Sequence, residues 1–197
     1  MYTPKDYQHL LGTHGFSDPL LKNHFKLYEG YVKNTNTLLD RLTGFIKHKK
    51  ELGPEYAELK RRLGWEFNGM RLHEYYFGNM KRGAAPLRAT SKLRRRIADG
   101  FGSFELWEQD FKATGTMRGI GWAILSYDPT GRRFCNTWIT EHDVGHLAGT
   151  TVVLVLDVFE HAFITDYGLE KPAYIDAFFS VIDWNEVERR LAVSAAA

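Results

Sequence analysis

Six residues constrain this chain more than any others. Thr151–Leu156 reads TVVLVL, an apolar, β-branched run that ends on Asp157. A run of that length and type predicts a buried strand. A buried strand needs partners, and two candidates stand upstream. Gly119–Tyr127 and Arg133–Thr140 flank the turn sequence Asp128-Pro129-Thr130-Gly131, so a small antiparallel sheet is expected. Glu141–Gly149 is polar and reads as a loop, and Val158–Tyr167 as turn or helix. Helices are expected over Pro172–Phe179 and Trp184–Leu191, with Ala192–Ala197 as a frayed end.

The first half has a different period. After an irregular arm from Tyr2 to Phe16, apolar residues recur at three-and-four spacing from Leu20 to Leu42. They include Leu20, Leu21, Leu27, Tyr28, Tyr31, Leu38 and Leu42, which predicts an amphipathic helix. Ser17 or Asp18 with Pro19 would start it, and Gly30 and Asn34 are candidate break points. A separate charged helix is expected over Leu42–Leu52, stopping before Gly53-Pro54. Glu55–Met80 carries Leu59, Leu63, Phe67, Met70, Leu72, Tyr76 and Phe77 and predicts another long helix. Short helices are expected over Ser91–Ile97 and Ser103–Ala113. The stretch Gly83–Pro86 is the natural linker, dividing a helical hairpin domain (1–84) from a C-terminal α+β domain (85–197). The expected class is α+β: a long-helix hairpin followed by an α/β domain with a three-stranded antiparallel sheet.

Composition narrows the chemistry. With 44% apolar and 25% charged residues the chain is not disordered. No stretch approaches the roughly 18 apolar residues of a membrane span. Cys135 is the one cysteine, which excludes internal disulfides and thiolate-based zinc or iron–sulfur sites. A net charge of +2 gives no case for nucleic acid, and the clusters at Lys60–Arg62 and Lys92–Arg96 read as solvated faces. There is no GxGxxG, no Walker loop and no apolar leader. A cytoplasmic protein is expected.

The sharpest chemical signal is Asp157-Val158-Phe159-Glu160-His161. A carboxylate at the end of a buried strand costs several kcal/mol unless it is paired or bound to metal. Two readings stand: Asp157 caps the next turn and His161 is a core histidine, or the imidazole and carboxylate together hold iron, manganese or zinc, which they suit. His24 and His73 sit on the apolar sides of the two long helices, where a histidine is either core or ligand. Three imidazoles and one carboxylate would leave room for water or a small substrate. His142 and His146, in the polar loop, are either solvated or neighbours of such a site.

These residues carry a resemblance. DVFEHAF, Asp157 to Phe163, resembles the DxWEHAY signature of the iron/manganese superoxide dismutase family. Gly119–Ala123, Tyr127-Asp128-Pro129, Phe67-Asn68 to His73, Ser103–Glu105 and Phe178–Trp184 resemble other family segments. The resemblance implies superoxide as substrate, one iron or manganese ion per subunit, and His24, His73, Asp157 and His161 as its ligands. It implies that His142 stands where the family has a glutamine or histidine beside the metal's solvent ligand. It implies that Trp122, Phe159 and Trp184 line or buttress the pocket, and that Tyr31 is the gateway tyrosine. It also implies a homodimer or tetramer in which Glu160 reaches the partner's ligand histidine.

The chain departs from the family in places. The usual ligand-to-tyrosine separation is eight and here it is seven, so anchoring on Tyr31 would put Asn23 at the ligand position; imidazole favours His24. Tyr28, one turn beyond His24, is then a second candidate for the gateway role. The family's gateway histidine is absent and its tyrosine partner is Ile164; Phe159 replaces tryptophan, and Lys171 replaces arginine before Pro172. Superoxide dismutation is the favoured expectation. The alternatives are another iron or manganese oxidoreductase on the same scaffold, or a homologue that kept the fold without catalysis.

Overall fold

The computed structural model describes residues 1–195, with side chains to residue 192. An irregular arm with a 3₁₀ turn at Gln8–Leu10 leads into helix α1 (Asp18–Lys47) and helix α2 (Pro54–Gly78), which form an antiparallel hairpin. Helices α3 (Lys92–Phe101) and α4 (Phe104–Thr116) follow, then strands β1 (Gly121–Asp128), β2 (Arg133–Thr140) and β3 (Thr151–Asp157). A 3₁₀ turn at Glu160–Ala162 and helices α5 (Ile164–Tyr167), α6 (Lys171–Ser180) and α7 (Trp184–Ala195) complete the chain. The strands pair antiparallel in the order β2-β1-β3. The expected α+β class is therefore the observed one.

Two expectations for the first half need correction. No break occurs at Gly30 or Asn34, and no separate helix covers Leu42–Leu52; α1 runs unbroken to Lys47. Ser17 caps it, its hydroxyl accepting from the Leu20 N–H at 3.2 Å. Gly30 costs about 1 kcal/mol against Ala, but its neighbours Tyr28, Tyr31 and Val32 are buried and hold the turn. Asn34 turns its amide outward to donate to Glu66 on α2 at 3.2 Å, so it does not compete for the helix backbone. Leu38 and Leu42 continue the buried stripe past the expected break points. Gly53 then caps α2, with Pro54 as its first residue, where a missing N–H costs nothing. Helix α7 likewise continues past Leu191 to Ala195; the last two residues of the expected tail lie outside the described residues.

One apolar core joins both halves. Helix α4 packs against β1 and β2, while α2 and α7 pack against β3. Strand β1 is central and buried along nearly its whole length. Asn79, just past α2, fastens the hairpin to the sheet. Its amide donates to the Val155 carbonyl at 2.9 Å and its oxygen accepts from the Val155 N–H at 3.2 Å. The same oxygen accepts from buried Arg190 at 2.8 Å. Each such group left unpaired in the interior would cost about 1–3 kcal/mol, so Asn79→Ala would loosen this seam. The consequence for function is positional: α1, α2 and the end of β3 are held against one another around a single point.

Candidate metal centre

His24 lies on the buried stripe of α1 and His73 on that of α2. Their rings meet edge to face with centroids 5.0 Å apart. Asp157 ends β3 opposite Trp122 of β1 and is fully buried. Its Oδ1 accepts the Phe159 N–H at 2.8 Å, and the Tyr174 hydroxyl donates to its carbonyl at 2.7 Å. That local turn feeds the 3₁₀ segment, which carries His161 back to the carboxylate. Asp157 Oδ2 stands 3.2 Å from Nε2 of both His24 and His161, and 3.6 Å from Nε2 of His73. One donor atom from each of the four residues lies within 4.8 Å of the other three.

The protonation of this cluster follows from its partners. His73 Nδ1 lies 2.5 Å from the Gly69 carbonyl, which can only accept. Nδ1 therefore carries the proton, and Nε2 of the neutral ring presents a lone pair. Burial holds the His73 pKa well below the ordinary value, aided by neighbouring His24 and opposed by Asp157. Burial also lowers that of His24, against the pull of Asp157. For Asp157 burial favours the neutral acid, but the contacts it receives from His161 and His24 outweigh it and hold the carboxyl below the usual range. The contacts of His24 and His73 with Asp157 are therefore not ion pairs, because these imidazoles are neutral.

The ionised Asp157 oxygen thus faces the lone pair of His73 Nε2 at 3.6 Å, with no proton on that nitrogen to offer. Nε2 of His24 and Nε2 of His73 are buried without a hydrogen-bond partner. Atoms so placed repel one another and go unsatisfied in an interior of low dielectric. One cation among them removes both penalties. Neutral imidazoles with a single carboxylate suit iron, manganese or zinc. The four residues make one mononuclear metal-binding site per subunit, suited to a single iron or manganese ion.

A polar chain runs along one side. The Trp122 indole N–H donates to His142 Nδ1 at 3.0 Å, and His142 Nε2 lies 2.8 Å from the Tyr31 hydroxyl. An indole can only donate, so Nδ1 accepts and the neutral ring carries its proton on Nε2, aimed at Tyr31. Burial lowers the His142 pKa to about 4. The Tyr31 ring stacks on His73 with centroids 5.2 Å apart. Its close approach to α2 requires glycine at position 69: a Cβ there would fall 2.6 Å from the ring. Burial and the negative charge of Asp157 raise the Tyr31 pKa, so the phenol keeps its proton.

Not every expected residue meets the centre. The Tyr28 hydroxyl donates to Glu74 at 3.1 Å and accepts the Lys5 N–H at 3.1 Å, so it points away from His142. His146 Nε2 lies 2.8 Å from the His142 carbonyl and supports the loop. Phe159 stacks on both His142 and His161. Trp184 packs on Phe104 and Trp107 instead. Glu160 is exposed beside His161. Sequence reasoning missed Trp65, whose ring sits 4.4 Å from that of His142. The signal was available: Trp65, Gly69, His73 and Phe77 recur every four residues along one stripe.

Comparison with known proteins agrees with this geometry. Residues 89–190 match the family described as iron/manganese superoxide dismutases, C-terminal domain. An iron superoxide dismutase of Pyrobaculum aerophilum is 35% identical over 174 residues, 86% of this chain and 80% of its own. That of Cupriavidus metallidurans is 35% identical over 91% of this chain and 90% of its own. A manganese superoxide dismutase of Haloferax volcanii is 34% identical over 95% and 92%.

Proposed function

The chain belongs to the iron/manganese superoxide dismutase family, and we propose that it converts superoxide to oxygen and hydrogen peroxide at one ion held by His24, His73, Asp157 and His161. The observation that carries this reading is the pair of buried, partnerless Nε2 atoms facing the Asp157 carboxylate. When bound, iron or manganese supplies the reversible one-electron chemistry; zinc has no such step.

The chain's own residues supply the rest. Asp157 brings one negative charge and the imidazoles none, which leaves the loaded site cationic and attractive to a small anion. Aromatic walls from Tyr31, Trp122 and Phe159 limit the space and exclude bulk water. Peroxide formation consumes two protons. His142 Nε2–H donates to the Tyr31 oxygen, which leaves the Tyr31 proton free to point into the site. Tyr31 is accordingly the proposed gateway and His142 the residue that orients it. Tyr28 is committed to Glu74 and takes no part in this scheme.

We also propose a homodimer, or a tetramer built from it, with Glu160 at the interface. Its exposure, and the 28% exposure of the His161 side chain, support a face that a partner covers. The division into 1–84 and 85–197 is supported by the turn between α2 and α3 and by a family match that begins at residue 89. A cytoplasmic location fits a chain with one free cysteine. Among the described residues no helix is long and apolar enough to cross a membrane.

The test is native purification with metal analysis and a superoxide-consumption assay. About one iron or manganese per subunit, and activity that disappears with chelation, are expected. Stoichiometric metal without superoxide consumption would leave the scaffold assignment and remove the catalytic one.

A further inference from the structure

We propose that Trp65 is a positioning residue: it seals the solvent side of His142 and holds that ring in line with Tyr31. The inference deepens the proposed dismutase reading and rests on it for the use of the polar chain. His142 belongs to a polar loop, yet its side chain is fully buried. Four rings surround it, from Trp65, Phe159, Tyr31 and Trp122, at centroid distances of 4.4, 4.8, 4.9 and 5.8 Å. Trp122, Tyr31 and Phe159 belong to the buried core, whereas Trp65 is only half-buried. Trp65 is therefore the layer between His142 and water.

Trp65 is itself clamped. Its indole N–H donates to the Glu141 carboxylate at 2.8 Å. Glu141 immediately precedes His142 and has a left-handed backbone (φ 53°), so this bond ties α2 to the loop at the point where His142 is aimed. On the indole face the Arg62 guanidinium stacks at 3.7 Å from the centroid. Arg62 is held in turn by Glu66 at 2.9 Å, and Glu66 accepts from Asn34 of α1 at 3.2 Å. Trp65 also touches Tyr31, with centroids 5.5 Å apart. One side chain thus joins α1, α2 and the loop around both partners of the hydrogen bond.

Hydrogen–deuterium exchange at the imidazole carbon of each histidine, read by mass spectrometry on the protein as purified, tests this without reference to turnover. Trp65→Ala should speed exchange at His142 by about tenfold while His24 and His73 stay at wild-type rates. Trp65→Phe restores the ring without the N–H and should bring His142 back to within about threefold of wild type. Superoxide consumption per bound metal should fall about tenfold in Trp65→Ala and recover in Trp65→Phe. If Trp65→Ala does not fold, Glu141→Ala keeps the indole and cuts its tether; about threefold faster exchange at His142 is then expected. Unchanged exchange at His142 in the folded variant overturns the proposal. A wild-type protein without dismutase activity would count against the dismutase reading alone, because the exchange result stands independently of it.

Discussion

The donor cluster and the polar chain beside it are built differently. His24 and His73 are set in the middles of two long helices, and Asp157 ends a strand that is buried through its core. None of the three can shift without moving a packed element. His142 hangs instead on the loop between β2 and β3, aimed by a left-handed residue and walled by side chains. The lesson is a division of labour. The part that must hold an ion in fixed geometry is made of core. The part that handles protons is made of hydrogen bonds that can be tuned one at a time.

If that division is right, the largest effects come from the donors. Asp157→Ala should leave less than about a tenth of an ion per subunit, measured by elemental analysis, with activity lost in proportion. His73→Ala should do the same, and a variant that keeps full metal would break the comparison. His142→Ala should retain the metal and lose about 10–100-fold in turnover, the cost usual for groups that orient a metal site from outside. Metal loss on that substitution would mean that the loop is part of the ligand scaffold.

Proton linkage separates the regions further. His24, His73 and His142 are buried with lowered pKa values, so the unfolded chain binds more protons than the folded one below about pH 6.5. Stability of the metal-free protein should therefore fall as pH drops from about 7 to 5, visible as a declining melting temperature. Bound metal should keep or steepen that slope, because it holds His24 and His73 unprotonated in the folded protein while the unfolded chain still takes up protons. The smallest effect is expected at Tyr28. Tyr28→Phe removes two hydrogen bonds, the one donated to Glu74 and the one accepted from the Lys5 N–H, costs about 1–2 kcal/mol of stability, and should leave turnover within about twofold of wild type. A tenfold loss of turnover would return Tyr28 to the gateway.

Much of this was legible in the residues. The TVVLVL run ending on Asp157, with His161 four residues on, located the strand and half of the donor set. The stripe through His73 located the second helix. What escaped the sequence depends on contacts across the fold. The unbroken α1 depends on Asn34 finding Glu66, a partner on another helix. The choice between Tyr28 and Tyr31 depends on which hydroxyl meets His142, and three residues of helix rotate the two onto different neighbours. Trp65 lay on a readable stripe, but its role appears only when the loop folds over it. The seam at Asn79 pairs residues 76 positions apart, which no local pattern reports.

The central claim is that four side chains hold one redox ion. Anomalous scattering from crystals of natively purified protein, collected at the iron and manganese edges, tests it most directly. The account predicts one peak per subunit, within bonding distance of Nε2 of His24, His73 and His161 and of an Asp157 carboxylate oxygen. A peak elsewhere, or one reached by only two of those atoms, would contradict it.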